Sequence, residues 1–458
     1  MVEYRYAPIG KLASALRERR ISAAELAEQA TSVLAEIGPH YNAVAQVMPE
    51  RAADEARDAD RRLAAGGAPL LCGIPYGAKD LFAARGAPTT WGSAEFADQE
   101  FTTDATAVRR LSRRGAVLAA KLAMSEFAGG GKPVKAGASM HGQGRNPWNV
   151  ERYSGGSSSG SGIAVAAGLV PFALGTETGG STIGPAAFSG ITGIRPTFGL
   201  LPRAGAMTLS WTLDKVGVLA RSADDVAIVM DALAGSSSSF HEASTSEPDR
   251  AIRVAISSRE LEEASPSIRA ALERGIADFR DLFGNVVDVE LDRTPPYIPA
   301  LELIVSVEGG FGLRDHLRRP DFAMSDERQL RTLRSGLEAP VAGYLEATRV
   351  TIPQTRKAFD TVFADADVIL SASRTDIAPR IDQERPPRDA SKISDLLRAG
   401  GNLAGVPGIS FPCGLSDEGM PVGLQLLGPR GSDAVLLSVA AAYQRATDHH
   451  LQRPPESS

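Results

Sequence analysis

Residues 153–184 read YSGGSSSGSGIAVAAGLVPFALGTETGGSTIG, and no other stretch constrains the fold as much. Its Gly/Ser runs have the composition of a flexible linker. A linker is flanked by polar, mobile chain, whereas this one passes straight into apolar helix and strand patterns. A Gly/Ser loop clamped inside a core holds backbone in special φ/ψ for a ligand. The segment is therefore read as part of a site.

The rest of the chain supplies an ordinary globular setting. Of 458 residues, 43% are hydrophobic and 23% charged, which excludes a disordered chain. The length would suit two or three domains at roughly 150 residues each. The 46 glycines show no three-residue period, so a collagen-like fibre is excluded. The net charge of -6 argues against nucleic acid as the main partner. Cys72 and Cys413 are too far apart for a disulfide framework or for paired-Cys zinc spacing. A reducing, cytoplasmic setting is expected. The N-terminus MVEYRYAPIGKLASALRERR has no apolar signal region. The longest apolar run, IAVAAGLVPFALG, is cut by Gly168 and Pro171, so no membrane span is expected.

Along the chain, the first sixty-odd residues read as two helices. Ser22 and Glu25 form a capping box ahead of Leu26, Ala30, Val33, Leu34 and Ile37 on one helical face. The second helix runs from about Pro49 to Gly66. LLCGIPYGAKDLF then leads an apolar run into a turn. Asp104 is expected to cap a helix that reaches Arg114, and AVLAAKLAM reads as a strand. Ser222-Ala-Asp-Asp225 opens a helix, IRVAI is a strand, Ser265-Pro266 opens another helix, and NVVDVEL is a strand. This alternation argues for an α/β sheet with helices on both faces. The polar stretch 235–250 is the best linker candidate, with a long surface loop as the alternative, residues 293–350 look mainly helical, and ISFPCG with PVGLQLLG reads as a hairpin. A final helix begins at Ser432-Asp433, and no internal repeat is visible.

Several motifs invite a different chemistry and fail on context. Gly156-Ser157-Ser158-Ser159-Gly160 matches G-x-S-x-G, and His141-Gly142-Gln143-Gly144 faintly resembles an oxyanion motif of α/β-hydrolases. That elbow needs a strand just before it, and GRNPWNVERY does not read as one. The two motifs also lie too close together. The histidines downstream (His241, His316, His449 and His450) all sit in polar segments. The Gly-Lys dipeptides at 10–11 and 131–132 lack Walker spacing, and no H-E-x-x-H or Cys/His cluster points to a metal. A serine nucleophile here would need a base other than histidine, and lysine is the alternative.

GIPYGAKD, SGGSSSGSG and GTETGGSTIGPAAFSGITGIRPT, in that order, resemble the amidase signature family. NPWN, NLAGVPGISFPCG and PVGLQLLG extend the similarity over nearly the whole chain. The resemblance implies an α/β fold with a large, mixed, twisted sheet between helical layers. It implies one domain over 1–458: helices in 1–67, the signature core in 68–235, and the remaining core in 251–458 with a helical insertion at about 293–350. It also implies a Ser–cis-Ser–Lys relay, with Ser181 as nucleophile, Ser157 after a cis peptide bond as bridge, and Lys79 as base. Thr178, Gly179 and Gly180 map to the oxyanion hole, and Thr176 to a supporting residue.

The physical case runs alongside. A hydroxyl needs a base to take its proton, and lysine serves only when burial makes it neutral. The setting of GIPYGAKDLF is apolar enough, provided that Asp80 points elsewhere. Consecutive N–H groups of 178–181 can converge on one oxyanion, each such donor being worth ~3 kcal/mol of barrier. Pro185 suits the first turn of a following helix, whose dipole favours the same anion.

Two positions depart from the family pattern. Glu177 stands where Asp is common, and Ile183 where Arg is common, so an Asp–Arg pair beside the nucleophile has been replaced.

The expected function is hydrolysis of a linear, non-peptide amide to a carboxylate and an amine or ammonia, through a Ser181 acyl-enzyme. No metal or organic cofactor is expected, and the partner is a small-molecule amide. Esters, carbamates and ureas fit the same chemistry, and the family often forms homodimers. The alternative within the family is the glutaminase component of a glutamyl-tRNA(Gln) amidotransferase, its A chain. Against that stand the two departures and a shortish C-terminal tail. A non-enzymatic scaffold is opposed by the intact Lys79, Ser157 and Ser181. The pocket is expected from the MSEFAGGG loop, the 177–183 neighbourhood and the 293–350 helices.

Overall fold

Short apolar runs such as VLAAKL and PVGLQLL bury every residue and become strands of one sheet. A computed structural model of the chain describes residues 4–129, 138–235, 238–248, 252–257, 259–284, 286–383 and 392–455. The strands are Val44–Val47 (β1), Pro75–Lys79 (β2), Val117–Leu122 (β3), Arg145–Asn146 (β4), Asn149–Tyr153 (β5), Phe172–Glu177 (β6) and Thr192–Arg195 (β7). Lys215–Ala220 (β8), Val254–Ile256 (β9), Val286–Asp288 (β10), Val368–Ala372 (β11), Gly408–Leu415 (β12) and Pro421–Leu427 (β13) follow. Eleven of them form one sheet in the order β1-β3-β2-β6-β8-β7-β12-β13-β11-β9-β10, while β4 and β5 make a separate ribbon.

The sheet is mixed. β3, β2 and β6 run parallel, as do β11, β9 and β10. Between them β8, β7, β12 and β13 pair antiparallel. Parallel neighbours need crossover connections, and helices supply them. Helix Ser159–Ala166 joins β5 to β6, with every residue buried. Helix Pro266–Phe283 turns Ile268, Leu272, Ile276 and Phe279 inward. One cluster of buried apolar side chains runs from Tyr4 to Tyr443, so both ends of the chain share it. This is the α/β architecture expected, with the hairpin of β12 and β13 where ISFPCG and PVGLQLLG place it. Among the described residues, no helix is long and apolar enough to cross a membrane.

Four local expectations need correction. The first sixty-odd residues hold a further helix, Ile9–Arg17, and the strand β1. Ile9, Leu12, Ala13 and Leu16 carry the helical spacing of that extra element and are buried. Asp104 does not cap the helix Thr106–Arg113, whose N-cap residue is Ala105. Its carboxylate accepts instead from Arg51 and from the Arg85 amide, because a charge-assisted pair outweighs a cap. GRNPWNVERY does contain strands, β4 and β5. The linker candidate carries a helix, Phe240–Thr245, whose first amides donate to the Asp231 carboxylate. Its residues 236–237 and 249–250 lie outside the described residues, as do Gly130, Gly131 and the Gly-Lys pair at 131–132. The Ser22–Glu25 capping box forms as read.

Candidate active site

β2 and β6 are adjacent and parallel, so their C-terminal ends meet at one edge of the sheet. Ligands of open α/β sheets bind beyond such strand ends. Lys79 is the last residue of β2, and Thr176 and Glu177 end β6. Lys79 is fully buried. Its Nζ donates to Ser157 Oγ at 2.8 Å and to Thr176 Oγ1 at 2.9 Å. Burial pulls the amine down to about 7, against the opposing charges of Asp214 and Glu177. Asp80 does point elsewhere: its carboxylate accepts from Lys121 Nζ at 2.7 Å and from Thr90.

The bridging position is built by a loop with little room. The Gly156–Ser157 peptide bond is cis, as the resemblance implies. A Cβ on Gly156 would lie 2.3 Å from the Tyr153 hydroxyl, so only glycine fits there. The Ser125 amide donates to Ser157 O at 3.1 Å and holds the loop from the other side. Ser158, the central serine of the G-x-S-x-G match, is wholly buried. Its hydroxyl donates to Thr176 O and accepts from Thr176 N, both at 3.2 Å. It is a clamp between loop and strand. The strand before it belongs to the small ribbon, so the elbow geometry fails although the strand exists.

Ser181 follows β6 and precedes the helix Ile183–Ser189. It is 9% exposed, and its carbonyl accepts from Ser158 N at 3.3 Å, which ties the two serine loops together. Gly180 has φ +119, a conformation that favours glycine. A Cβ there would lie 2.6 Å from Arg398 Cδ. Glu177 fixes the turn from below. One of its oxygens accepts from the Thr182 and Ile183 amides at 2.8 and 2.9 Å. The other accepts from Arg195 Nη1 and Asn402 Nδ2, each at 3.1 Å. Burial alone would raise the Glu177 carboxyl, but Arg195, the two amides and Asn402 outweigh it and hold it below the usual range. Glu177 therefore does have a cation partner, Arg195 of β7.

The structure thus brings Lys79, Ser157 and Thr176 into direct hydrogen-bond contact and places Thr178, Gly179, Gly180 and Ser181 on the adjoining turn. Three contributors escape the sequence reading. These are Arg195, Asn402 and Asp214, which accepts from Thr178 Oγ1 at 2.6 Å. A signal for Arg195 does exist, since a buried strand such as TGIR carries arginine only when something pairs it. Beside the Ser157 loop, the 124–129 loop is held from residue 325: Ser325 N donates to the buried Glu126 carboxylate at 2.7 Å.

A family model described as Amidase matches residues 25–437. The A chain of the glutamyl-tRNA(Gln) amidotransferase from Cupriavidus pinatubonensis is 34% identical over 493 residues, covering 98% of each chain. Its counterpart from Roseiflexus castenholzii is 36% identical over 472 residues, covering 96% of this chain and 95% of its own. Among solved structures, a chain described as part of an unexpected vestigial protein complex that reveals the origins of an s-triazine catabolic enzyme superposes with TM-score 0.85. It is 30% identical, with 96% of this chain and 98% of that one covered. The native peptide amidase of Stenotrophomonas maltophilia superposes with TM-score 0.82 at 28% identity, covering 99% of both chains.

Proposed function

The chain belongs to the amidase signature family, hydrolases acting on carbon–nitrogen bonds other than peptide bonds, and from that premise we propose that it hydrolyses a carboxamide through an acyl-enzyme on Ser181. The observation that carries this reading is a fully buried lysine whose Nζ lies 2.8 Å from the Ser157 hydroxyl, in the loop tied to Ser181. Neutral Lys79 accepts the Ser157 proton, and Ser157 accepts the one leaving Ser181. Ser181 Oγ then attacks the carbonyl carbon, and the backbone amides of Thr178–Gly180 receive the oxyanion. The proton returns through Ser157 to the leaving nitrogen as the carbon–nitrogen bond breaks. Water enters by the same relay and releases the carboxylic acid. Thr176 keeps Lys79 aimed at Ser157. We read residues 1–458 as one such domain in a cytoplasmic setting.

Two substrates are in contention. The departures at Glu177 and Ile183 favour a free-standing hydrolase of small linear amides. The names of the amidotransferase relatives favour a glutaminase that passes ammonia to a partner protein, and the description of one solved neighbour as a complex supports a partner in that reading. Ammonia release by the purified chain from glutamine and from a panel of aliphatic and aryl amides separates them. Turnover of a free amide by the chain alone supports the first. Glutamine hydrolysis that appears only with a partner protein supports the second.

A fluorophosphonate probe tests the nucleophile under either reading. Wild type is expected to label and Ser181→Ala is not; equal labelling of the two would remove Ser181 from its role. Because Lys79 must be neutral, kcat/KM is expected to fall about tenfold per pH unit below about 7 and to level above it. A rate that stays flat down to pH 5 would exclude Lys79 as the base.

A further inference from the structure

Asp214 is not used by the relay, yet it sits where two parts of the site meet. It lies just before β8, and it is 8% exposed. One carboxylate oxygen accepts from the Leu209 and Ser210 amides, both at 2.9 Å. The other accepts from Thr178 Oγ1 at 2.6 Å. The loop around it is anchored in turn by the insertion. Ser210 Oγ donates to Glu308 Oε2 at 2.5 Å, Thr212 N to the same oxygen at 3.0 Å, and Tyr344 Oη to Glu308 Oε1 at 2.7 Å. Glu308 is 1% exposed, within the helix Tyr297–Gly312. Asp214 is thus held rigidly, and its remaining bond reaches the turn that carries Gly179, Gly180 and Ser181.

Its charge also acts on the base. Of the charges acting on Lys79, Asp214 is the larger and Glu177 the smaller, and both favour the protonated amine. The other charged groups around the pair are Glu177, Asp80, Arg203, whose Nη1 donates to the Asp214 carbonyl, and Lys215, which burial also draws down to about 7. Glu177 of β6 is bound to Arg195 of β7, Asp80 is bound to Lys121 of β3, and Lys215 of β8 donates to the Leu213 carbonyl. Removing the Asp214 charge therefore leaves Lys79 with less negative charge opposing its desolvation.

Building on the Ser181 reading, we propose that Asp214 is a positioning residue of the site: held by the Leu209 and Ser210 amides, it accepts from Thr178 and fixes the oxyanion turn. The bond and the charge of Asp214 separate by substitution. Asp214→Asn removes the charge and keeps a hydrogen-bond partner for Thr178. Thr178→Val removes the bond and keeps the charge.

The rate of fluorophosphonate labelling at Ser181, followed against pH, reads both without a known substrate. Asp214→Asn is expected to move the acid limb down by about one pH unit, since Lys79 then stays neutral in more acidic solution. Thr178→Val is expected to leave the limb in place and lower the plateau rate about tenfold, with Thr178→Ser restoring it. If wild type labels and all three variants overlay it, the inference fails while the Ser181 reading stands. If wild type itself does not label, the Ser181 reading fails first. Should Asp214→Asn not fold, the Thr178 pair decides alone: equal plateaus for Val and Ser overturn the proposal, and a slow Val beside a fast Ser supports it.

Discussion

Lys79→Met is expected to lower kcat/KM by about 10⁴-fold while the protein stays folded. The base is the one group in the relay that no neighbour can replace. Ser157 and Thr176 hold only hydroxyls, and Asp80 is engaged by Lys121 and Thr90. Methionine keeps a stem of similar length in the same buried slot and leaves out the amine. Stability is expected to move the other way. The folded amine titrates near 7 and the unfolded one near 10.5, so between those values the unfolded chain holds the extra proton. Wild-type stability therefore rises with pH across that window on account of Lys79, and the penalty is full below about 7. The variant lacks the penalty. Its Tm is expected to exceed that of wild type at pH 7, with the advantage shrinking as the pH approaches 10.5. Thermal melts at several pH values, beside steady-state ammonia release, check both parts. A variant that keeps kcat/KM within tenfold of wild type would return the base assignment to open ground.

The contrast between what the sequence discloses and what it hides follows from range. Lys79, Ser157, Thr176 and Ser181 are legible because each sits in a short contiguous pattern whose glycines and small residues have a local reason. Gly156 is an instance: a Cβ there meets Tyr153, three residues away. Arg195, Asn402 and Asp214 act on the same turn from 18, 225 and 36 residues away; an arginine in the buried run TGIR announces that it has a partner, but no local pattern says which residue that is. The helix Ile9–Arg17 escapes for a different reason. It has no side-chain N-cap, so its apolar spacing alone has to declare it. The strands β4 and β5 escape because a two-stranded ribbon needs no buried run. Their exposed and half-buried residues read as loop.

Glu177→Gln is expected to cost about 3 kcal/mol of stability and to impair the site at the same time. Glu177 is wholly buried, and four donors converge on it: Arg195, Asn402, and the amides of Thr182 and Ile183. Glutamine offers one acceptor oxygen and an amide nitrogen. It can satisfy Arg195 or the two amides but not both, and Arg195, 1% exposed, is left without its counter-charge. If the amides are released, the turn after Ser181 loses its floor, and kcat falls with the stability. The pH dependence has a definite sign. The Glu177 carboxyl is held below its usual range in the folded state. Its contribution is complete above the unfolded carboxylate range and is lost as pH falls through the folded value. The gap between wild type and variant, read from urea midpoints, should therefore be widest at neutral pH and close in acid. Arg195→Met added to Glu177→Gln tests the cause. With the stranded guanidinium gone, the double variant should lose less than the two single losses combined, and less than the single Gln variant if the buried cation is the main penalty. Strict additivity would instead mean that Glu177 acts through the Thr182 and Ile183 amides alone.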